Sequence, residues 1–491
     1  MIKLTIDNMP AEVEAGTTIL QAVKKLGLHV PHFCYHKRLS IAGNCRMCLV
    51  EVEGAKNLSI SCKDLVREGM VVKTASEPVL RARKDVLEFI LINHPVDCPT
   101  CDQSGECKLQ DYFFDYSLRP SRLVDGKVHK PKVKPIGPHI ILDAERCIEC
   151  TRCIRFCEEI VGVHEIGLFD RGDHSTIDVV PGKELSNPYS LCTVDLCPVG
   201  ALTSKDFRFK KRVWFLTSTP SICTGCATGC NIWIDHADSI VYRYRPRENE
   251  EVNKSWMCDA GRMTYKQLLA QERVLRPMVE GELGLVEVAW EVAIERMASY
   301  LAAPPAAGIA GVLSARSSVE ENEAFALFCR EIFQTQSLCW SGAESDPAFA
   351  DEILRDAERS PNKKTAQGMS TTSWEQLKTG MGFFVLDGLS RDDLLKVIEL
   401  KPAWIILIAS QRPPNPKWLN LLLPKATHAE QAGTFINRNG RAQKTEEAFS
   451  PLGESATVWE IAGRIAKRMG KTLQPLNRDP LSLEGRGLGR G

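Results

Sequence analysis

The chain has 491 residues, 44% of them hydrophobic and 25% charged, and its 62 Lys and Arg balance its 62 Asp and Glu. That length holds about three to five domains of ordinary globular composition. Zero net charge argues against nucleic acid as a partner and offers no polybasic membrane contact. The most apolar stretch, 403–409 (AWIILIA), is far short of the ~20 residues that span a bilayer, so no direct membrane insertion is expected.

The first element is a strand pair, Lys3–Ile6 with Glu12–Glu14, and the N-terminus has no signal-peptide core. A helix comes next, with Thr17 as its expected N-cap and Gly27 as its stop. Ile19, Ala22, Val23 and Leu26 recur at helical spacing and form its buried face. Leu49–Val52 and Leu58–Ser61 read as further strands. Residues 78–93 form a second helix, which Pro95 separates from the cysteine run after it, so His94 stands just past a helix end. The Lys-, Pro- and Gly-rich run 124–138 reads as a linker. Beyond residue 285, Ile309–Leu313, Phe383–Leu386 and Trp404–Ile408 are apolar strands alternating with helical stretches, the pattern of a parallel α/β sheet. The Gly/Arg-rich tail 483–491 is expected to be disordered.

Nineteen cysteines are the unusual feature, and seventeen lie before residue 260. Without a secretory signal the expected compartment is the reducing cytosol, where clustered cysteines are ligands more often than disulfides. Cys34-x10-Cys45-x2-Cys48-x13-Cys62 resembles the plant-type 2Fe–2S layout, with a longer first gap. Gly43 lets its backbone approach sulfide. Zinc, which favours two short pairs, is the competing reading. His94-x3-Cys98-x2-Cys101-x5-Cys107 suits a 4Fe–4S cluster or, taken alone, a one-His, three-Cys zinc site.

Cys147-x2-Cys150-x2-Cys153 with the remote Cys197-Pro198 is the bacterial ferredoxin signature for 4Fe–4S. A second cluster there would need more cysteines than Cys157 and Cys192 provide. Cys223-x2-Cys226-x3-Cys230-x27-Cys258 fits 4Fe–4S or zinc. The leftover Cys157, Cys192, Cys329 and Cys339 read as core thiols.

These sets in this order, with the runs GNCRMCLVEV, NHPVDCPTCDQSGECKLQD, CIECTRCIRFC and DLCPVGALTSKDF, resemble the G-subunit family of NADH–quinone oxidoreductases, the large iron–sulfur subunits of bacterial complex I. The resemblance implies a multidomain α+β and α/β chain. Its parts would be a 2Fe–2S ferredoxin-like (β-grasp) domain at 1–78, a His/Cys-ligated 4Fe–4S domain at 79–120 and a ferredoxin-like 4Fe–4S domain at 139–212. A molybdopterin-oxidoreductase-type 4Fe–4S domain would cover 216–272, and a shortened molybdopterin-oxidoreductase-like α/β domain 273–480. The run 426–443 (ATHAEQAGTFINRNGRAQ) resembles the family too.

The implied cofactors are one 2Fe–2S and three 4Fe–4S clusters. No molybdopterin is expected, because little chain comes after that run and Ala260 stands where formate dehydrogenases have a lysine. No G-x-G-x-x-G fingerprint offers an NADH site. The chain would therefore work between partners: an NADH- and FMN-binding subunit, other iron–sulfur subunits and a quinone-site subunit of the peripheral arm. That would place it on the cytoplasmic face of a respiratory membrane. The alternatives are the iron–sulfur subunit of an NAD-linked formate dehydrogenase or hydrogenase, and a zinc scaffold.

Overall fold

The computed structural model describes residues 1–473 apart from 118, 119, 270, 272 and 415; the tail 483–491 lies outside the described residues. The chain divides into two compact units, Met1–Phe215 and Leu216–Gly491.

The first unit opens with a hairpin, β1 (Ile2–Ile6) and β2 (Met9–Val13). Asp7 and Asn8 both have positive φ, the geometry of a two-residue turn that follows strand twist. Helix α1 (Ile19–Lys25) is capped by Thr18 and not by the expected Thr17. The reason is the capping box: Gln21 lies three residues on, its N–H donates to Thr18 Oγ1, and its side chain accepts from the Thr18 N–H. Strands β3 (Leu49–Val52), β4 (Ser59–Ile60) and β5 (Val71–Lys73) complete a sheet of order β2-β1-β5-β3-β4, in which only β1 and β5 run parallel. Ile19, Leu20, Ala22 and Val23 of α1 are buried in this domain's core.

Helix α2 (Glu77–Leu91) takes Pro78 in its first turn, and α3 (Lys108–Tyr116) comes after the cysteine loop. The run 124–138 is more than a linker. Lys127 Nζ donates to the carbonyls of Leu91, Ile92 and His94, closing the end of α2 with a cation. β6 (Lys134–Pro135) then joins β7 (Ile140–Leu142) in a small sheet. Lysines were legible in that run, but the carbonyls they reach are far away in sequence. Next come α4 (Arg152–Phe156), the hairpin β8 (Ile166–Phe169) and β9 (Thr176–Val179), α5 (Cys192–Leu196), and β10 (Leu202–Ser204), which pairs with β7.

The second unit starts with an antiparallel sheet, β11 (Thr217–Ile222), β12 (Asn231–Ala237) and β13 (Ile240–Pro246), then short α6 (Asp259–Met263). The hairpin β14 (Met278–Gly281) and β15 (Gly284–Glu287) leads to α7 (Trp290–Ala302) and β16 (Ile309–Ser314). Then come α8 (Val319–Glu331), β17 (Leu338–Ser341), α9 (Lys363–Met369), β18 (Gly382–Leu386), α10 (Arg391–Glu399), β19 (Trp404–Ala409) and β20 (Leu421–Pro424). The hairpin β21 (Gly433–Ile436) and β22 (Ala442–Thr445) and helix α11 (Val458–Arg468) end the described fold.

The expected parallel sheet is a mixed one of order β15-β14-β20-β19-β18-β16-β17. Strands β16 to β20 are parallel, while the β14–β15 hairpin adds two antiparallel edge strands, because a two-residue turn can join only antiparallel neighbours. The central strands β16, β18 and β19 are buried throughout, as sheets covered on both faces must be. One face packs on α7, α8 and α11, where Phe325 stacks on Phe384 at 4.9 Å; the other covers Val397 of α10. At the carboxyl ends of the strands, buried Lys425 donates to Glu321 and, at 2.7 Å, to Asp387. Fully buried Arg273 pairs with Glu430 at 2.8 Å.

Candidate metal centres

The first set sits on the loop from α1 to β3, with Cys62 just after β4. Gly43 and Arg46 both take positive φ, which turns the loop inward. Cys34, Cys48 and Cys62 are buried. Hydrogen bonds from the Cys45 and Cys62 thiols hold Cys34 far below the ordinary thiol range. Cys62 also brings Cys48 down to about 7. As donors, Cys45 and Cys62 are pushed up. Hydrogen bonding thus links the sulfurs of the four cysteines into one group.

The second set lies between α2 and α3. Burial pushes His94 down to about 4, so its imidazole is neutral, as a ligand must be. His94 Nδ1 is buried without a hydrogen-bond partner. A ring nitrogen left so is costly unless something absent from the chain occupies it. His94 and Cys101 share Arg146 and Asp97 as charged neighbours, and Cys107 feels Cys101 and Cys98. Burial raises Cys107 to about 11 against the N–H groups of Gln110 and Leu109. Gly200 passes so close that a Cβ there would fall 2.4 Å from Cys101 Sγ.

The third set shows its geometry most openly. Cys147, Cys150, Cys153 and Cys197 line one cavity whose other walls are mostly Leu, Ile, Val and Ala. Glu149 and Thr151 take left-handed φ, so the C-x2-C-x2-C run coils around the cavity. Burial raises Cys150 to about 11 and Cys147 and Cys153 further. Against this, the Glu149 N–H reaches Cys147 Sγ at 3.4 Å, and the N–H groups of Val199, Leu202 and Ala201 act on Cys197. Protonated thiols do not ligate until a cation replaces the proton.

In the fourth set, Cys223 adjoins the end of β11, Cys226 and Cys230 precede β12, and Cys258 caps α6. Gly261 is required here: a Cβ would meet Cys223 Sγ at 2.9 Å and Cys258 Sγ at 3.2 Å. Burial raises Cys258 to about 11. The loop 225–229 is held by the α/β region. Arg438 N donates to Ala227 O at 2.7 Å, Gln443 Nε2 to Gly229 O at 3.0 Å, and Arg359 Nε to Gly225 O at 3.0 Å.

Among the described residues no group of three or more His, Cys, Asp or Glu side chains is arranged to hold a single metal ion. Cys157, Cys192, Cys329 and Cys339 are buried, and burial raises Cys157 to about 12, as for an inert core thiol.

Comparison with known proteins runs in the same order along the chain. The 2Fe-2S iron-sulfur cluster binding domain family matches residues 1–77, and the NADH-ubiquinone oxidoreductase-G iron-sulfur binding region matches 83–122. The NADH-quinone oxidoreductase subunit 3 ferredoxin-like domain matches 137–203, and the NDSU1/NuoG-like 4Fe-4S domain matches 216–266. The NADH-quinone oxidoreductase G subunit of Rickettsia conorii is 44% identical over 65% of this chain and 47% of its own. That of Rickettsia bellii is 46% identical over 61% and 44%.

The chain is a relative of the G subunit of NADH-quinone oxidoreductase. It spans about half the length of the curated G-subunit proteins it matches. It is multidomain, with matches to 2Fe–2S and 4Fe–4S domains and a molybdopterin oxidoreductase match at 399–468. The crystal structure of NAD+-reducing [NiFe]-hydrogenase in the H2-reduced state is similar at 27% identity over 43% of this chain and 91% of that one, with a TM-score of 0.40. Among the described residues, no helix is long and apolar enough to cross a membrane.

Sequence reading had missed Gly200, Gly261 and the buried arginines 146, 152 and 155. Each glycine lies three residues after a cysteine of one of the four sets, a signal open to inspection. The arginines carry no such mark.

Proposed function

We propose that this chain is an iron–sulfur electron-transfer subunit of an NADH–quinone oxidoreductase. Cys34, Cys45, Cys48 and Cys62 would hold a 2Fe–2S cluster. His94, Cys98, Cys101 and Cys107 would hold the first 4Fe–4S cluster. Cys147, Cys150, Cys153 and Cys197 would hold the second, and Cys223, Cys226, Cys230 and Cys258 the third. When bound, such clusters accept and donate one electron at a time.

The observation that carries the reading is the ring of four thiols around one apolar-walled cavity, in a chain whose four iron–sulfur domain matches keep the order of the G-subunit family. The protein's part is to hold the sulfurs, exclude water and tune charge. Backbone N–H groups aimed at sulfur, as at Glu149, Gly225 and Gly261, stabilise the anionic ligands. The apolar walls keep the local dielectric low. Burial keeps His94 neutral and able to bind through nitrogen.

With no dinucleotide fingerprint of its own, the chain depends on an NADH- and FMN-binding partner for electrons and on iron–sulfur and quinone-site partners to pass them on. It would sit at the cytoplasmic face of the membrane through those partners. The pterin-like region carries no molybdopterin in this reading and braces the loop 225–229. The test is anaerobic stopped-flow absorbance with NADH. The isolated chain should stay oxidised, and adding the FMN-bearing subunit should bleach its clusters. Bleaching by NADH without that subunit would overturn the reading.

A further inference from the structure

Two buried arginines flank Cys153 on α4 and reach across to the first ligand set. Arg152 is 5% exposed. It donates from Nη1 to Leu196 O at 3.2 Å, beside Cys197, and from Nη2 to Tyr35 O, beside Cys34. Arg155 Nη2 donates to Cys34 O at 2.7 Å and to Cys150 O at 3.2 Å, and its Nη1 donates to Ser40 O. Their hydrogen bonds thus tie the backbone of both sets into one block.

Their charge has no ordinary counter-ion. Among the described residues no carboxylate pairs with Arg152 or Arg155, and Arg152 Nε is buried with no partner at all. An uncompensated buried cation costs several kcal/mol. Such a cost is sustained where anionic groups lie close without touching. The groups that act on Arg152 are the sulfurs of Cys150, Cys34, Cys197 and Cys45, two from the third set and two from the first. Arg152 is therefore beside sulfurs of two different sets, although burial is the larger influence on it and lowers it.

We propose that Arg152 and Arg155 are positioning residues that lock the first and third ligand sets together and raise the reduction potentials of both clusters at once. This rests on the ligand sets assigned above. A cluster gains one negative charge on reduction, so a fixed cation nearby favours its reduced form. Removing that cation from between two clusters should lower both potentials in step, whereas a cation serving one cluster would move one.

The experiment is an EPR-monitored redox titration of the anaerobically purified chain, wild type against Arg152→Met and Arg152→Lys. The wild-type signals test the ligand assignment separately: their absence sinks the proposed function, not just the role of the arginines. With those signals present, R152M should shift both the 2Fe–2S midpoint and one 4Fe–4S midpoint negative. The ratio of reduced to oxidised cluster at fixed potential should change about tenfold, or ~59 mV for one electron. R152K, which keeps the charge, should return both midpoints most of the way to wild type. Full iron with both midpoints unchanged in R152M overturns the proposal, and so does a shift confined to one cluster. Should R152M lose iron, Arg155→Gln carries the same test, and unchanged midpoints there overturn it equally.

Discussion

A single methyl group tests the second ligand set. A Cβ added at Gly200 would lie 2.4 Å from Cys101 Sγ, 3.1 Å from Gln103 Cβ and 3.5 Å from Arg146 Cδ. Ordinary contact is about 3.5–4.0 Å, so the sulfur must retreat by more than ~1 Å. The backbone at 200 is not in the left-handed region, and alanine adds no strain of its own there. Overpacking of this kind costs about 1–3 kcal/mol. The larger effect is on the ligand, since metal–ligand bonds tolerate displacements of only about 0.2 Å.

Gly200→Ala, purified anaerobically, should lose about four of about fourteen irons and one 4Fe–4S signal, while the 2Fe–2S signal remains. The control is Gly463→Ala in α11, where nothing lies within 4 Å. It should keep every cluster and gain about 0.5–1 kcal/mol from helix propensity. G200A with full iron and unaltered spectra would refute the placement of Cys101 as a ligand.

Three further outcomes are expected. Replacing His94 with Cys should keep iron but lower that cluster's potential, because thiolate adds negative charge where imidazole adds none; the midpoint in an EPR titration reads this, and a rise would contradict it. Lys425→Met strands buried Glu321 and half-buried Asp387 and should cost about 3–5 kcal/mol in denaturant unfolding, with Lys425→Arg well below that; a loss under about 1 kcal/mol would show that the cation is dispensable. Burial pushes His428 down to about 4, so the unfolded chain binds its proton more readily; stability should fall as pH drops from about 6.5 to about 4, by up to ~2–3 kcal/mol. His428→Gln should flatten that part of the pH profile; an unchanged profile would show that another group is responsible.

Where local chemistry fixes an element, the sequence was readable. The pairing of the first two strands, the Pro78 start of α2 and the largely apolar strands β16, β18 and β19 come from short-range rules, although the second strand is Met9–Val13 and not the expected Glu12–Glu14. The N-cap shifted by one residue because two threonines adjoin and only Thr18 has its glutamine three positions on. The mixed sheet was missed because the hairpin Met278–Glu287 is short and only partly buried.

At the metal centres, spacing named the cysteine sets but not what surrounds them. The run 124–138 reads as a linker until Lys127 is seen on the end of α2, 33 to 36 residues away. The GTFINRNGRAQ run carried only a resemblance. Its use is tertiary, as Gln443 lies 214 residues from the Gly229 carbonyl it holds. Arg152 and Arg155 look like ordinary surface cations in sequence, and only burial against distant carbonyls reveals them.

The central claim is that four cysteine-rich sets hold iron–sulfur clusters and no other metal. Iron, zinc and molybdenum counted per chain in the anaerobically purified protein test it directly. One 2Fe–2S and three 4Fe–4S clusters predict about fourteen irons, with zinc and molybdenum at trace levels. Zinc in whole-number amounts in place of iron, or stoichiometric molybdenum, would contradict it.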